Sequence, residues 1–80
     1  MHEVSVVSDM LNIVYENAES HNIKSINKIV LRIGEFTCIN EGSIRFAFEC
    51  LCKDTICENA LLEVDRATGD ELIIERIEGE

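Results

Sequence analysis

The sequence contains no proline and no tryptophan, and aromatic residues make up only 5% of its 80 residues. It has no apolar run near the ~20 residues of a membrane-spanning helix and no segment with the composition of a linker. Basic residues are also few, because seven Lys and Arg stand against 16 Asp and Glu, giving a net charge of −9. This balance argues against binding to nucleic acids or to anionic membranes, both of which need basic surfaces.

The start of the chain lacks the features of an export signal. Its first 20 residues contain four acidic side chains and no Lys or Arg, whereas an export signal needs a basic start followed by an apolar stretch. The sequence therefore predicts a cytoplasmic protein whose four cysteines are reduced thiols. The 46% share of hydrophobic residues and the length predict one globular domain over residues 1–80, small enough for a partner or an oligomer to help its stability.

Hydrophobic periodicity predicts five elements. Apolar residues spaced three and four apart predict amphipathic helices over residues 4–20 and 41–53, with Ile13 and Leu51 on their buried faces. Alternating polarity predicts strands over residues 28–33, 62–65 and 72–77. The order α-β-α-β-β predicts a two-layer α/β fold, in which a three-stranded mixed sheet carries two helices on one face and its first two strands are parallel.

Local sequence features indicate how the elements end and connect. Asn22 suits the left-handed position after the first helix, and Asn40 can cap the second. Residues 67–70 (ATGD) are typical of a hairpin loop, which would make the third strand antiparallel to the second. In the third strand Leu72 and Ile74 share one face and Ile77 falls on the other, so the strand has either a bulge or burial on both faces.

The four cysteines do not have the spacing of a structural zinc site, which needs CxxC-type pairs. Cys50 and Cys52 lie two residues apart in a predicted helix and should point in nearly opposite directions, so they cannot bind one ion together. We expect Cys38, Cys50, Cys52 and Cys57 to be small apolar residues of the interior. A redox role for Cys50 or Cys52 is the alternative.

The two histidines occupy different contexts. His21 lies at a helix end, where a surface or capping role is expected. His2 lies beside the chain terminus, where a metal could bind in a plane to the α-amino nitrogen of Met1, the amide and imidazole nitrogens of His2 and the amide nitrogen of Glu3. Planar nitrogen coordination suits Ni(II) or Cu(II). The alternative is that residue 2 is part of an unstructured terminus without a function.

Five segments, in order along nearly the whole chain, resemble motifs of the HypA/HybF family, the nickel metallochaperones of [NiFe]-hydrogenase maturation. They are residues 1–5 (MHEVS), 32–35 (RIGE), 43–49 (SIRFAFE), 60–64 (ALLEV) and 68–72 (TGDEL). The resemblance implies a protein that is not an enzyme and that binds Ni(II) at Met1, His2 and Glu3. In the family His2 is the essential side chain, and the side chain of Glu3 supports the site.

The resemblance also implies partners: the GTPase of the same maturation pathway, the hydrogenase large-subunit precursor and, in some organisms, urease accessory proteins. A metal-free interaction module that docks the GTPase is the alternative function. The small core and the short connection at residues 67–70 suggest, in addition, a homodimer formed by exchange of the last strand.

One family feature is missing from the sequence. Family members carry a zinc module of two CxxC pairs between the second and third strands, whereas here Arg66 is followed by Ala67 and then directly by Thr68. The module would lie between about residues 66 and 68. None of the four cysteines matches the family's zinc ligands, so we expect no zinc and no function that depends on this module.

Overall fold

The computed structural model describes residues 3–80. It contains two helices, α1 (Glu3–Ser20) and α2 (Glu41–Cys52), and three strands, β1 (Ile26–Gly34), β2 (Leu61–Ala67) and β3 (Leu72–Gly79). A short 3₁₀ turn at Glu35–Thr37, which the sequence did not predict, follows β1. The order α-β-α-β-β and the mixed three-stranded sheet are confirmed. Over the described residues, neither helix combines the length and the apolar character needed to cross a bilayer.

The strand order is β2-β1-β3, so β1 is the central strand. It is parallel to β2, as predicted, and antiparallel to β3. The predicted hairpin is therefore wrong: β2 and β3 run in opposite directions, but β1 lies between them, and residues 68–71 cross the end of β1.

A close backbone approach explains this crossing. The amide of Gly34, at the end of β1, donates to the carbonyl of Glu71 at 2.8 Å, and the Phe36 amide donates to the carbonyl of Gly69 at 2.9 Å. A Cβ atom on Gly34 would lie 2.4 Å from the Gly69 carbonyl oxygen. Gly69 itself has a φ of 109°, a conformation that favours glycine. The residues that form the turn were predicted correctly, but the turn passes over the end of β1 and does not join two neighbouring strands.

A bulge resolves the ambiguous pattern of β3. The pairing of β3 with β1 shifts register between Val30 and Leu31, where Arg76 and Ile74 are the partners and Glu75 is the extra residue. Because of this extra residue, Ile77 returns to the face of Leu72 and Ile74, and all three pack against the core. Placing Ile77 on the opposite face was therefore wrong, and the bulge was the correct alternative.

The core lies between the helices and the inner face of the sheet. Its fully buried side chains include Val7 and Val14 of α1, Ile44 of α2, and Ile29 and Leu31 of β1. Two predicted core residues are not in it. Ile13 is 49% exposed because it faces the gap between α1 and β3, and Leu51 is 37% exposed because Cys52 takes the inward position at the end of α2.

Both predicted helix-end features are confirmed. The side-chain oxygen of Asn40 accepts a hydrogen bond from the Ser43 amide at 2.9 Å and so caps α2. Asn22 has a φ of 57°, the left-handed conformation expected after α1. His21 is exposed, and its Nδ1 contacts the Asn17 carbonyl at 2.8 Å, in agreement with its capping role.

Candidate metal-binding site

Two of the three predicted nickel-binding residues, Met1 and His2, lie outside the described residues. The third, Glu3, is the first residue of α1 and is half-buried. The first amide groups of a helix have no carbonyl partner in the preceding turn. The amide nitrogen of Glu3 is therefore not required for the hydrogen bonding within α1.

The side chain of Glu3 connects the starts of the two helices. Its Oε2 accepts a hydrogen bond from the backbone amide of Asn40 at 3.4 Å. Asn40 is the N-cap of α2, so the carboxylate lies at the positive ends of both helix dipoles. This contact spans 37 positions of the sequence and ties the residue beside the predicted donors to the body of the fold.

The two helices run side by side in the same direction. At one end Glu3 contacts Asn40, and near the other the side chain of Tyr15 of α1 lies beside Thr55, just beyond α2. A cleft of ≈ 460 Å³ lies at the first end. Its lining includes Val4 and Phe46, which are 58% and 70% exposed. We call these two side chains the apolar rim.

A functional role of the apolar rim was not predicted from the sequence. Phe46 lies outside the apolar stripe of α2, and this position could have indicated an exposed aromatic residue. Single exposed apolar residues are common, but here two of them border the cleft that Glu3 also lines.

The cysteines fall into two groups. Cys38 and Cys50 are exposed, whereas Cys52 and Cys57 are buried. The opposite orientation of Cys50 and Cys52 is confirmed, but the expectation that all four lie in the interior is wrong for Cys38 and Cys50. Cys38 follows the 3₁₀ turn in a left-handed conformation, with a φ of 59°, and Cys50 lies on the outer face of α2.

The two buried thiols lie next to each other beneath a tight turn. Burial, together with the neighbouring Cys57, raises the pKa of Cys52 from its ordinary value of 9.0 to about 12. Burial also raises the pKa of Cys57. The hydroxyl of Thr55 donates to the Cys52 carbonyl at 2.7 Å and accepts from the Cys57 amide at 3.1 Å, which holds the turn. Thiols in this state are protonated at neutral pH and are poor nucleophiles and poor metal ligands.

Across residues 3–80, no three side chains of His, Cys, Asp or Glu lie together in a way that could hold a metal ion. The connection between β2 and β3, where the zinc module of the family would lie, is four residues long, from Thr68 to Glu71. Its backbone contacts the end of β1 through Gly69 and Glu71.

A family model described as HypA, hydrogenase/urease nickel incorporation, metallochaperone, matches residues 1–71. The hydrogenase maturation factor HybF of Escherichia coli K12 is 33% identical over 64 residues, which are 80% of this chain and 57% of that protein. The hydrogenase maturation factor HypA of Dehalococcoides mccartyi is 36% identical over 66 residues, 82% of this chain and 56% of that protein. The chain thus spans little more than half the length of these curated relatives.

Two solved structures share the fold. The solution structure of the Ni metallochaperone HypA from Helicobacter pylori superposes with a TM-score of 0.78 at 24% identity, covering 95% of this chain and 72% of that one. A second solution structure, of a HypA protein, gives a TM-score of 0.69 at 25% identity and covers 95% and 71%. Since the family model spans most of the sequence, the chain belongs to the HypA/HybF family of hydrogenase maturation factors, which are metallochaperones and not enzymes.

Proposed function

We propose that this chain binds Ni(II) through Met1, His2 and Glu3 and delivers it for [NiFe]-hydrogenase maturation. The ion is cargo: it is bound at the terminus and passed to a partner. The ligands are the four nitrogens named above, arranged in a plane around the metal.

The observation that carries the proposal is the position of Glu3 as the first residue of α1. Its amide can lose a proton to a metal without breaking a hydrogen bond of the helix. Its carboxylate, held by the Asn40 amide, anchors the first residue of α1 beside the cleft. The helix therefore presents the last of the four nitrogens at a fixed place on the protein.

Charge supports the same arrangement. A cation at the start of a helix is disfavoured, because the helix dipole is positive there. In the proposed complex the amine and imidazole are neutral, and two deprotonated amides balance the two positive charges of Ni(II). The bound group is then neutral overall. Acid should weaken it, since protons compete for the amine and the imidazole.

The direct test is a calorimetric titration with Ni(II) of a chain whose first residue is Met1 with a free amine. His2→Ala should weaken binding by on the order of 100-fold or more while leaving the circular dichroism spectrum unchanged. The matched control is His21→Ala, which removes the other histidine and should leave binding intact. Adding one residue before Met1 should also impair binding, because the amine moves away.

Unaltered, stoichiometric nickel binding by His2→Ala would overturn the proposal. Equal losses in His2→Ala and His21→Ala would do the same, because the loss would then not be specific to the N-terminal site. If the chain with one added residue before Met1 still binds nickel, the α-amino nitrogen is not one of the ligands.

We further propose that the chain acts in the cytoplasm without a zinc module or bound zinc. The direct passage from Ala67 to Thr68 and the four-residue connection over β1 support the absence of the zinc module. Metal analysis of the purified chain should find no zinc, and a chelator should leave its thermal unfolding unchanged. Stoichiometric zinc, or unfolding by the chelator, would contradict it.

The apolar rim favours a second role, docking of the maturation GTPase, with the large-subunit precursor and urease accessory proteins as further partners. Val4 and Phe46 border the cleft beside Glu3, so a protein bound there would meet the metal donors. Phe46→Ala should weaken binding of the purified GTPase and leave nickel affinity unchanged. GTPase binding that is insensitive to this substitution would exclude the rim.

A further inference from the structure

The inner face of β3 is only partly covered. Helix α2 lies against β2, where the Arg45 Nη1 donates to the Leu62 carbonyl at 2.8 Å. Between α1 and β3 a groove remains, formed by two adjoining hollows of ≈ 500 and ≈ 350 Å³ that share Ile13 and Ile74. The apolar side chains of β3 that face it are half-buried. Strand β3 is also an edge of the sheet, so no other strand within residues 3–80 pairs with its outer backbone groups.

Hydrogen bonds at the two ends of β3 establish which backbone groups point outward. The carbonyl of Glu71 accepts from Gly34, and Glu80 exchanges two hydrogen bonds with Ser25, so both ends point toward β1. Backbone direction alternates along an antiparallel strand, with one extra residue at the bulge. The residues whose backbone groups point away from β1 are therefore Leu72, Ile74, Ile77 and Gly79.

The spacing of these outward residues is two, three and two, with the bulge at Glu75 in the middle. An ordinary extended peptide offers a backbone group every second residue, so it loses register on crossing the bulge. A strand with the same central bulge, running in the opposite direction, keeps register along its whole length. Strand β3 of a second copy of this chain has that property.

We propose that two copies of this chain associate by antiparallel pairing of their β3 strands about a two-fold axis between Glu75 and Arg76. Ile74 of each copy then lies opposite Ile77 of the other, and Leu72 lies opposite Gly79. The result is a six-stranded sheet with all four helices on one face. The two grooves meet at the axis, where Ile13 of both copies loses its solvent exposure.

The charges of β3 complement each other in the same register. Glu75 of each copy faces Arg76 of the other, on the face of the sheet that the helices leave open. Within one copy Glu75 contacts Arg32, and Arg76 contacts Glu78 at 3.0 Å. Each new pair therefore extends an existing line of alternating charge, and opposite charges placed directly across two strands are favourable.

Two single charge reversals provide a sharp test. Glu75→Arg places arginine opposite arginine in a homodimer, and Arg76→Glu places glutamate opposite glutamate. Each variant alone should dimerise about tenfold more weakly than the unaltered chain in sedimentation equilibrium. A mixture of the two restores both opposite-charge contacts, so it should form a one-to-one heterodimer.

The matched control is Arg66→Glu, the same change on the exposed side of the other edge strand, which should leave the dimer unchanged. Circular dichroism verifies that each variant folds. If Glu75→Arg does not fold, Glu75→Gln, which avoids a second positive charge beside Arg32, tests the same contact.

Three results would overturn the proposal: a monomer up to millimolar concentration, dimerisation that both reversals leave unchanged, or a mixture that does not assemble. If the copies instead exchange their β3 strands, both charge reversals should leave dimerisation unchanged, because an exchanged strand pairs with β1 as in the monomer. If the edge of β3 instead binds a peptide, the chain should remain a monomer.

Discussion

The two ends of the helical layer differ in what they offer a metal ion. At the end where both helices begin, Glu3 and Asn40 form an open cleft with the apolar rim. At the other end the thiols of Cys52 and Cys57 are buried beneath a turn. The thiols, which are the softer ligands, thus lie at the end where they are buried and protonated. The open end offers backbone nitrogen atoms.

This difference shows that ligand type alone does not identify a metal site. A thiolate binds soft metals well, but burial raises the pKa of Cys52 to about 12 and so removes the thiolate at neutral pH. A backbone amide is ordinarily a poor ligand, but at the first position of a helix it is not engaged in the hydrogen bonding of the helix. In the proposed nickel site, position in the fold reverses the usual order of ligand preference.

The largest effect on stability is expected at the closed end. Cys57→Ser puts a hydroxyl into the core, where Cys57 is fully buried, and should lower the free energy of unfolding by about 2 kcal/mol. Nickel affinity should not change. Urea unfolding and a nickel titration of the same variant test both statements. The control is Cys50→Ser at an exposed position, whose free energy of unfolding should stay within about 0.5 kcal/mol of that of the unaltered chain.

The pH dependence of stability should also come from the closed end. The pKa of Cys52 is higher in the folded chain than in the unfolded chain, so the unfolded state releases its proton first as pH rises. The contribution of Cys52 to stability should therefore be constant below about pH 9 and fall between pH 9 and 12, by roughly 1 kcal/mol per pH unit. Denaturant unfolding across this range measures it. A Cys52→Ala variant with an equally steep fall would show that another group is responsible.

The smallest effect is expected at the open end. Glu3→Gln removes the charge that faces both helix dipoles but keeps an oxygen that can accept from Asn40. It should cost about 0.5 kcal/mol of stability and preserve nickel binding, since the proposed ligand is the amide nitrogen. Thermal unfolding and nickel titration test this. Complete loss of nickel binding in Glu3→Gln would indicate that the carboxylate itself is a ligand. The open end would then not differ from the closed end by offering only backbone nitrogen.

Much of the fold could be predicted because its determinants are local. The apolar stripes of α1 and α2, the alternation in β1 and the caps at Asn22 and Asn40 each depend on residues within a few positions of one another. The parallel pairing of β1 and β2 follows from the intervening helix. The candidate nickel ligands were predicted for the same reason, since they are consecutive in sequence.

The incorrect predictions concern contacts between residues distant in sequence. Nothing near Ile13 or Leu51 indicates that one faces a gap beside β3 and the other gives its inward place to Cys52. The hairpin failed because the role of Gly69 depends on Gly34, which is 35 positions away. The anchoring of Glu3 on Asn40 is a contact of the same kind, since the two residues are 37 positions apart.

The amino-acid sequence alone was enough to predict the elements, their order, the mixed two-layer architecture and the resemblance to a nickel-chaperone family, because periodicity, turn residues and motifs are properties of short segments. The central position of β1, the bulge at Glu75, the burial of two thiols and the contact of Glu3 with the start of α2 are properties of the folded chain. Strand order and burial depend on which distant segments exclude water together, and this packing is settled by the whole chain at once.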